Sequence, residues 1–278
     1  MGDRWHCESC GYEPRLVDGI PLLAPAVAEW TGEDAEYRYA ELSDAESWHF
    51  WFVSRARLVA WAIGRYFPEA TSFFDIGCGT GGVEAALRRL LPSLAVMAGD
   101  SQLSGLRLAK RRLPDQSFIQ CDIRAMPFER EFAVTGAFDV LEHLDDDASV
   151  LREMYKVTHP GGGLIVTVPQ HQWLWSAVDD FAHHRRRYAR RELAGRIEGA
   201  GFQLLRMTSF MTLILPAMLW SRRAKLDAAV LDPVAELRIG RAANGAMATL
   251  CAVECAMIRT GMSLPVGGSL LVVARRPH

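Results

Sequence analysis

Three carboxylates and a run of glycines mark where this chain could do chemistry. Residues 73–82 read FFDIGCGTGG, an apolar run ending in Asp75, then Gly77, Gly79 and Gly82 in the spacing G-x-G-x-x-G. Between a strand and a helix, such a turn lets backbone approach a nucleotide lying on the helix N-terminus. The spacing alone is a weak signal. Asp75 at its mouth also speaks against a dinucleotide, since a carboxylate there repels a diphosphate. A ligand carrying an ammonium and a sulfonium would be attracted instead. Asp100 closes the next apolar run, in AGDS, and Asp122 the one after, in CDI. Ligands of open parallel sheets sit outside the carboxyl ends of the strands, so these aspartates should converge on one crevice. There Asp100 can accept both ribose hydroxyls, and Asp122 can accept from an adenine amino group. Turn chemistry is the plain alternative for those two, and helix capping for Asp75.

The elements that must position these groups are legible as an alternation. Short apolar runs at 72–76, 94–98, 117–120, 132–138, 163–168 and 202–207 read as buried strands. Segments 80–91, 102–112, 145–158 and 190–199 read as helices between them, and residues 47–67 as a helix ending before Pro68. GSLLVVARRP reads as a last strand. Strand–helix alternation predicts a parallel sheet with helices on both faces. Residues 213–267 then form an apolar, helical insertion before the last strand. Residues 1–36 make a small appendage, leaving 37–278 as the main domain.

From about residue 45 to 278 the chain resembles the class I S-adenosylmethionine-dependent methyltransferases. The resemblance rests on DIGCGTGG (75–82), AGDS (98–101), CDIRAMPF (121–128), FDVLEHLDDD (138–147) and GGGLIVTVPQ (161–170), which occur in the family's order. It implies an α/β, Rossmann-like fold: a seven-stranded, mostly parallel sheet whose antiparallel last strand lies between its two predecessors. It implies S-adenosylmethionine as cofactor and S-adenosylhomocysteine as product. Cofactor contacts fall on Asp75, Gly77, Cys78, Gly79, Gly82, Asp100, Ser101, Asp122, Ile123 and Phe138. WHFWFVSRAR (48–57) and QHQWLWSAVDDFAHHRRRY (170–188) resemble a bacterial subgroup acting on small molecules or on lipid- and glycan-linked metabolites, in secondary or envelope metabolism.

Methyl transfer is an in-line displacement, so the protein chiefly aligns nucleophile, methyl and sulfur and excludes water. A base is needed only where the acceptor must lose a proton. Matched to the subgroup, the loop after the fifth strand supplies Asp179 and His184 as candidate catalytic groups. Trp175, Arg186, Arg187 and Tyr188 are its substrate contacts, with the arginines gripping a phosphate or carboxylate. Five arginines between 185 and 191 equally suit a solvated helix start. His143, in EHL, lies near the methyl end of the crevice, although that tripeptide can simply start a helix. His49, Trp51, Arg55 and Arg57 sit on the preceding helix, where one or two could reach the methionine carboxylate or pack in the core.

Composition narrows the alternatives. Half of the 278 residues are hydrophobic and the formal charge is −2, which gives no field to hold nucleic acid. His6, Cys7 and Cys10 are half of a zinc ribbon without its second pair, read as a remnant, and we expect no bound metal. The start lacks an apolar signal region, and six cysteines read as reduced thiols, so a cytoplasmic location is expected. The apolar stretches between 210 and 262 are too short or interrupted to span a bilayer, and suit peripheral contact at the inner membrane face or a buried core. Oligomeric state stays open, a homodimer included. The competing functions are a cofactor-binding protein without turnover and an NAD-dependent oxidoreductase; the acidic strand ends disfavour the latter.

Overall fold

The computed structural model describes residues 10–27, 33–224 and 238–278. Its centre is one sheet in which five strands run parallel: β3 (Ser72–Ile76), β4 (Ala95–Asp100), β5 (Ser117–Gln120), β6 (Phe132–Phe138) and β7 (Thr158–Pro169). β8 (Gln203–Phe210) and β9 (Ser269–Arg275) complete one side, with β9 antiparallel to both β7 and β8 and lying between them, as expected. On the other side the sheet goes further than the seven strands expected. A hairpin of β1 (Arg15–Val17) and β2 (Ile20–Leu22) continues it beyond β5, giving nine strands in the order β1-β2-β5-β4-β3-β6-β7-β9-β8. The appendage thus joins the sheet. Asp18 and Gly19 both take positive φ at its turn, the mirror-image turn that suits strand twist. His6 and Cys7 lie outside the described residues, and Cys10 is exposed.

The helices are α1 (Glu33–Ala45), α2 (Phe50–Tyr66), α3 (Gly82–Leu90), α4 (Leu103–Arg112), α5 (Asp147–Val157), α6 (Ala177–Phe181) and α7 (Arg190–Gly199), of which α2, α3, α4, α5 and α7 fall on the expected segments. Of these, α1 and α6 were not anticipated. Successive strand residues feed opposite faces, as the pleat requires. Phe73, Val134 and Ile165 pack in a layer with Leu58 and Ile63 of α2. Phe74, Ala137 and Val166 pack with Val150 and Met154 of α5 and Leu193 of α7. Strands buried on both faces read as continuous apolar runs, which is why they were legible.

The insertion contributes α8 (Leu215–Ala224) and α9 (Arg241–Arg259). One stripe of α9, with Cys251, Cys255 and Ile258, is buried in the layer that holds α2. Glu254, on the same stripe, accepts hydrogen bonds from the backbone of Met211, Thr212 and Leu213, so it caps the chain leaving β8. The remaining face is exposed, including Leu250 and Val253, with Trp220 of α8 75% exposed. The insertion is therefore partly core and partly surface. Among the described residues no helix is long and apolar enough to cross a membrane.

Candidate cofactor and acceptor site

The reversal of strand order lies between β3 and β6, and both face their carboxyl ends to one crevice. The glycine turn begins there. Gly77 has φ +79°, and an added Cβ would meet Val140 at 2.6 Å, so glycine is required. Gly79 has φ +56° with open space where its Cβ would lie, a cradle left for a ligand's approach. Thr80 donates to Glu46 at 2.6 Å, and Arg112 also pairs with Glu46 and reaches Ser43, which pins the end of α1 over the turn.

Asp75 is buried, and its Oδ1 has no hydrogen-bonding donor among the described residues. Glu84, from the first turn of α3, lies beside it with both carboxylate oxygens equally unpartnered. Burial, foremost, pushes Asp75 up to about 7, with Glu84 at its side and the Arg55 charge opposing; burial, then Asp75, raises Glu84 well above the usual range. A buried carboxylate without a donor calls for a cation. Asp100 is held differently. Its Oδ2 accepts from Gly79 N and its Oδ1 from Gln102 N, each at 2.8 Å. Each oxygen keeps a second lone pair, the arrangement a vicinal diol needs. Burial raises its pKa against these backbone donors. The residues therefore fit adenosylmethionine, whose ammonium suits Asp75 and whose ribose suits Asp100.

The other expected cofactor residues surround this pair. Cys78 is buried in the turn, and burial with the neighbouring carboxylates keeps it a thiol. Ser101 follows Asp100 at the end of β4, and its carbonyl accepts from Gln120. Gly82 begins α3 beneath the Glu46 carboxylate. Phe138 stacks 6.2 Å from Phe73 at the end of β6, and Ile123 packs at the margin of the core. Asp122 forms a turn, accepting from Arg124 N and twice from its guanidinium at 2.9 Å, which lowers its pKa. That leaves one lone pair on Oδ2 for a base amino group.

Beyond β6 and β7 a second cluster forms around two turns. Asp139 takes φ +59°, rare for a non-glycine residue, held by Arg55 and by Thr167 Oγ1. Arg185 N donates to the Glu142 carbonyl at 2.7 Å and joins the loop after β7 to the turn after β6. His184 Nδ1 lies 2.9 Å from Asp179, and Arg187 grips both Asp179 oxygens at 2.7 and 3.0 Å. Asp179 also closes the capping box of α6 with Ser176. Burial opposes, but His184 and Arg187 prevail and hold Asp179 at about 2. The rings of His143 and His184 meet edge to face at 4.8 Å. His143 keeps an exposed edge, yet desolvation of its ring, then His184, draws its pKa down to about 4.

The structure brings His143, Asp179 and His184 together but spreads the expected substrate contacts. Arg187 is buried on Asp179. Tyr188 is fully buried, and its hydroxyl donates to Asp147, which also binds Arg196. Arg186 reaches the Asp145 carbonyl, and Trp175 donates to Asp180 at 2.9 Å. Of the preceding helix, Arg55 enters the cluster and His49 caps α2. Glu84, Asp139 and Glu142 were missed, although Asp139 and Glu142 lay within the motif FDVLEHLDDD.

Residues 74–166 match the family model described as a methyltransferase domain. A trans-aconitate 2-methyltransferase of Azoarcus sp. is 30% identical over 132 residues, 48% of this chain and 50% of the relative. A demethylmenaquinone methyltransferase of Renibacterium salmoninarum is 37% identical over 117 residues, 41% of this chain and 47% of the relative. The chain thus spans about half the length of such curated relatives. The Haloferax volcanii complex of the Trm112 methyltransferase activator and a putative methyltransferase contains a chain that superposes with a TM-score of 0.58 at 18% identity. That match covers 89% of this chain and 98% of the other. A geranyl diphosphate methyltransferase in complex with GPP and sinefungin superposes with a TM-score of 0.56, at 15% identity and with 81% of this chain and 78% of the other covered. Residues 74–166 thus match a methyltransferase domain, and the chain shares the fold of the solved methyltransferases it superposes on.

Proposed function

We propose that the protein is an S-adenosylmethionine-dependent methyltransferase that methylates a small-molecule or lipid- or glycan-linked acceptor. The observation that carries this reading is the pair of carboxylates flanking the glycine turn. Asp75 offers an unpartnered buried oxygen to an ammonium, and Asp100 offers two free lone pairs to a ribose. When bound, the cofactor supplies an electrophilic methyl on a sulfonium. The protein's own residues hold it in line: the glycine turn and Asp100 fix the nucleoside, and Asp139 with Arg55 shapes the methyl end. Asp179 orients His184 by its Nδ1, which leaves Nε2, 4.0 Å from Glu142, as the nitrogen that can serve as base or hydrogen-bond partner.

The acceptors for which the relatives are named, trans-aconitate and demethylmenaquinone, are both oxygen-bearing molecules, which supports that class here. The exposed Trp220, Leu250 and Val253 support peripheral contact of the insertion with a lipid surface. Incubation with methyl-labelled cofactor and a metabolite extract should yield a labelled product. Retention on NAD resin but not adenosylhomocysteine resin would overturn the reading, and cofactor binding without label transfer would favour a non-catalytic binder. Flotation with anionic liposomes tests the surface contact, which Trp220→Ser should weaken.

A further inference from the structure

The Glu142 carboxylate is fully buried, and neither oxygen has a hydrogen-bonding donor among the described residues. An uncompensated buried charge is costly, so a positive partner belongs beside it. Two arginines lie near enough to act on it, but Arg55 is committed to Asp139 and Arg187 to Asp179. What faces Glu142 is His184 Nε2, 4.0 Å from its Oε1. The ring is already tied at its other nitrogen, because Nδ1 meets Asp179 at 2.9 Å. With Nδ1–H donated to a carboxylate, Nε2 presents a lone pair toward Glu142. A carboxylate behind an imidazole whose far nitrogen points at a second carboxylate is the support that metal-binding histidines receive. His143 completes the set. Its ring meets His184 edge to face, lies against the Ala182 carbonyl and keeps one edge open to solvent.

We infer that Glu142, His143 and His184 form a binding site for a divalent cation of zinc-like chemistry, whose open positions take oxygen atoms of the methyl acceptor. One ligand atom from each residue lies within 4.8 Å of the others. Around tetrahedral zinc, bonds of about 2.0–2.1 Å put ligand atoms about 3.3 Å apart, so the widest pair closes by about 1.5 Å. Side-chain torsions cover that distance. Three protein ligands of mixed nitrogen and oxygen type leave at least one position open, the pattern of catalytic rather than structural zinc. The position is apt, since all three residues lie just beyond the carboxyl ends of β6 and β7, beside the cofactor crevice. The sequence had led us to expect no metal; burial of Glu142 is what changes that. His184 is then a ligand instead of a proton acceptor, and the cation itself would orient an acceptor hydroxyl or carboxylate. This assignment rests on the methyltransferase reading only for the identity of the acceptor.

The test uses the full chain, stripped with a chelator and titrated with Zn2+ by calorimetry and with Co2+ by visible absorption. Adenosylhomocysteine is titrated into the same samples. One cation per chain is expected, with the d–d bands of a low-coordinate nitrogen and oxygen site. Glu142→Gln should weaken binding at least a hundredfold. Asp179→Asn removes no ligand and should weaken it about 10- to 100-fold. Should Glu142→Gln fail to fold, His143→Gln on the open edge gives the same readout. A folded wild-type chain that binds adenosylhomocysteine but neither cation overturns the metal site and leaves the proposed function standing. Cation binding that survives Glu142→Gln and His143→Gln places the ion elsewhere and also overturns it. Cation binding without adenosylhomocysteine binding supports the site and defeats the cofactor reading.

Discussion

Asp100→Asn tests the cofactor site at the point where the geometry is most explicit. Each carboxylate oxygen already accepts one backbone N–H at 2.8 Å, from Gly79 and from Gln102, and each keeps one lone pair toward the crevice. Asparagine preserves the shape but turns one oxygen into a donor. Whichever way the amide points, its NH2 faces a backbone N–H and can no longer accept from one ribose hydroxyl. Losing one charge-assisted bond removes about 1.5–3 kcal/mol, and the surviving acceptor falls to the neutral value of about 0.5–1.5 kcal/mol. A net loss of about 2.5–4.5 kcal/mol corresponds to a roughly 60- to 1,600-fold rise in the adenosylhomocysteine dissociation constant. Calorimetry on wild type and variant measures this, with circular dichroism and thermal melting confirming that the variant folds. An affinity within threefold of wild type, in a folded variant, would remove Asp100 from the ribose site.

Three further outcomes follow from the geometry. Gly77→Ala combines a left-handed φ, worth about 1–2 kcal/mol for a residue with a Cβ, with a 2.6 Å approach to Val140, and should lower the melting temperature and abolish cofactor binding. Asp179→Ala leaves Arg187 buried without its carboxylate and should cost about 3–5 kcal/mol in urea unfolding; Arg187→Met with Asp179→Leu should recover much of it. Asp75 titrates near 7 in the folded chain, above its unfolded value, so its contribution to stability is complete at acid pH and is lost as pH rises through about 7. The ligand-free melting temperature should therefore fall between about pH 4 and 7 and level off above, while affinity for the ammonium-bearing cofactor rises as pH approaches 7 and then plateaus. Asp75→Asn should flatten both trends, and pH-independent affinity in the wild type would remove Asp75 from the ammonium site.

What could be read from the chain, and what could not, divides along physical lines. Strands β5 and β6 were placed at their observed ends because both faces are buried and the apolar run stops at a turn. Asp75 and Asp100 were legible because their position at a strand's end determines where they point. The β1–β2 hairpin was overlooked although Asp18-Gly19 is a strong turn signal, since its three-residue strands are too short to show alternation. The five-residue α6 was missed because Ser176 and Asp179, which make its capping box, were weighed only as chemistry. Glu84 and Glu142 escaped for a different reason. Nothing in a residue's type tells whether tertiary packing will withdraw its carboxylate from water, and both lie on turns and helices where an exposed acid is the ordinary case.

The hairpin has a consequence for the molecule's behaviour in a crowded solution. A sheet edge offers unpaired backbone groups to any passing strand, and long flat edges invite association. Here β5 is shielded by β2, and the new outermost strand is only three residues long. At the opposite margin β8 is irregular between Leu204 and Arg206, and Arg206 straps that border by reaching the carbonyls of Ile258, Gly261 and Met262. Trimming the first 27 residues would uncover β5, and self-association of the shortened chain, read by light scattering, should rise with concentration.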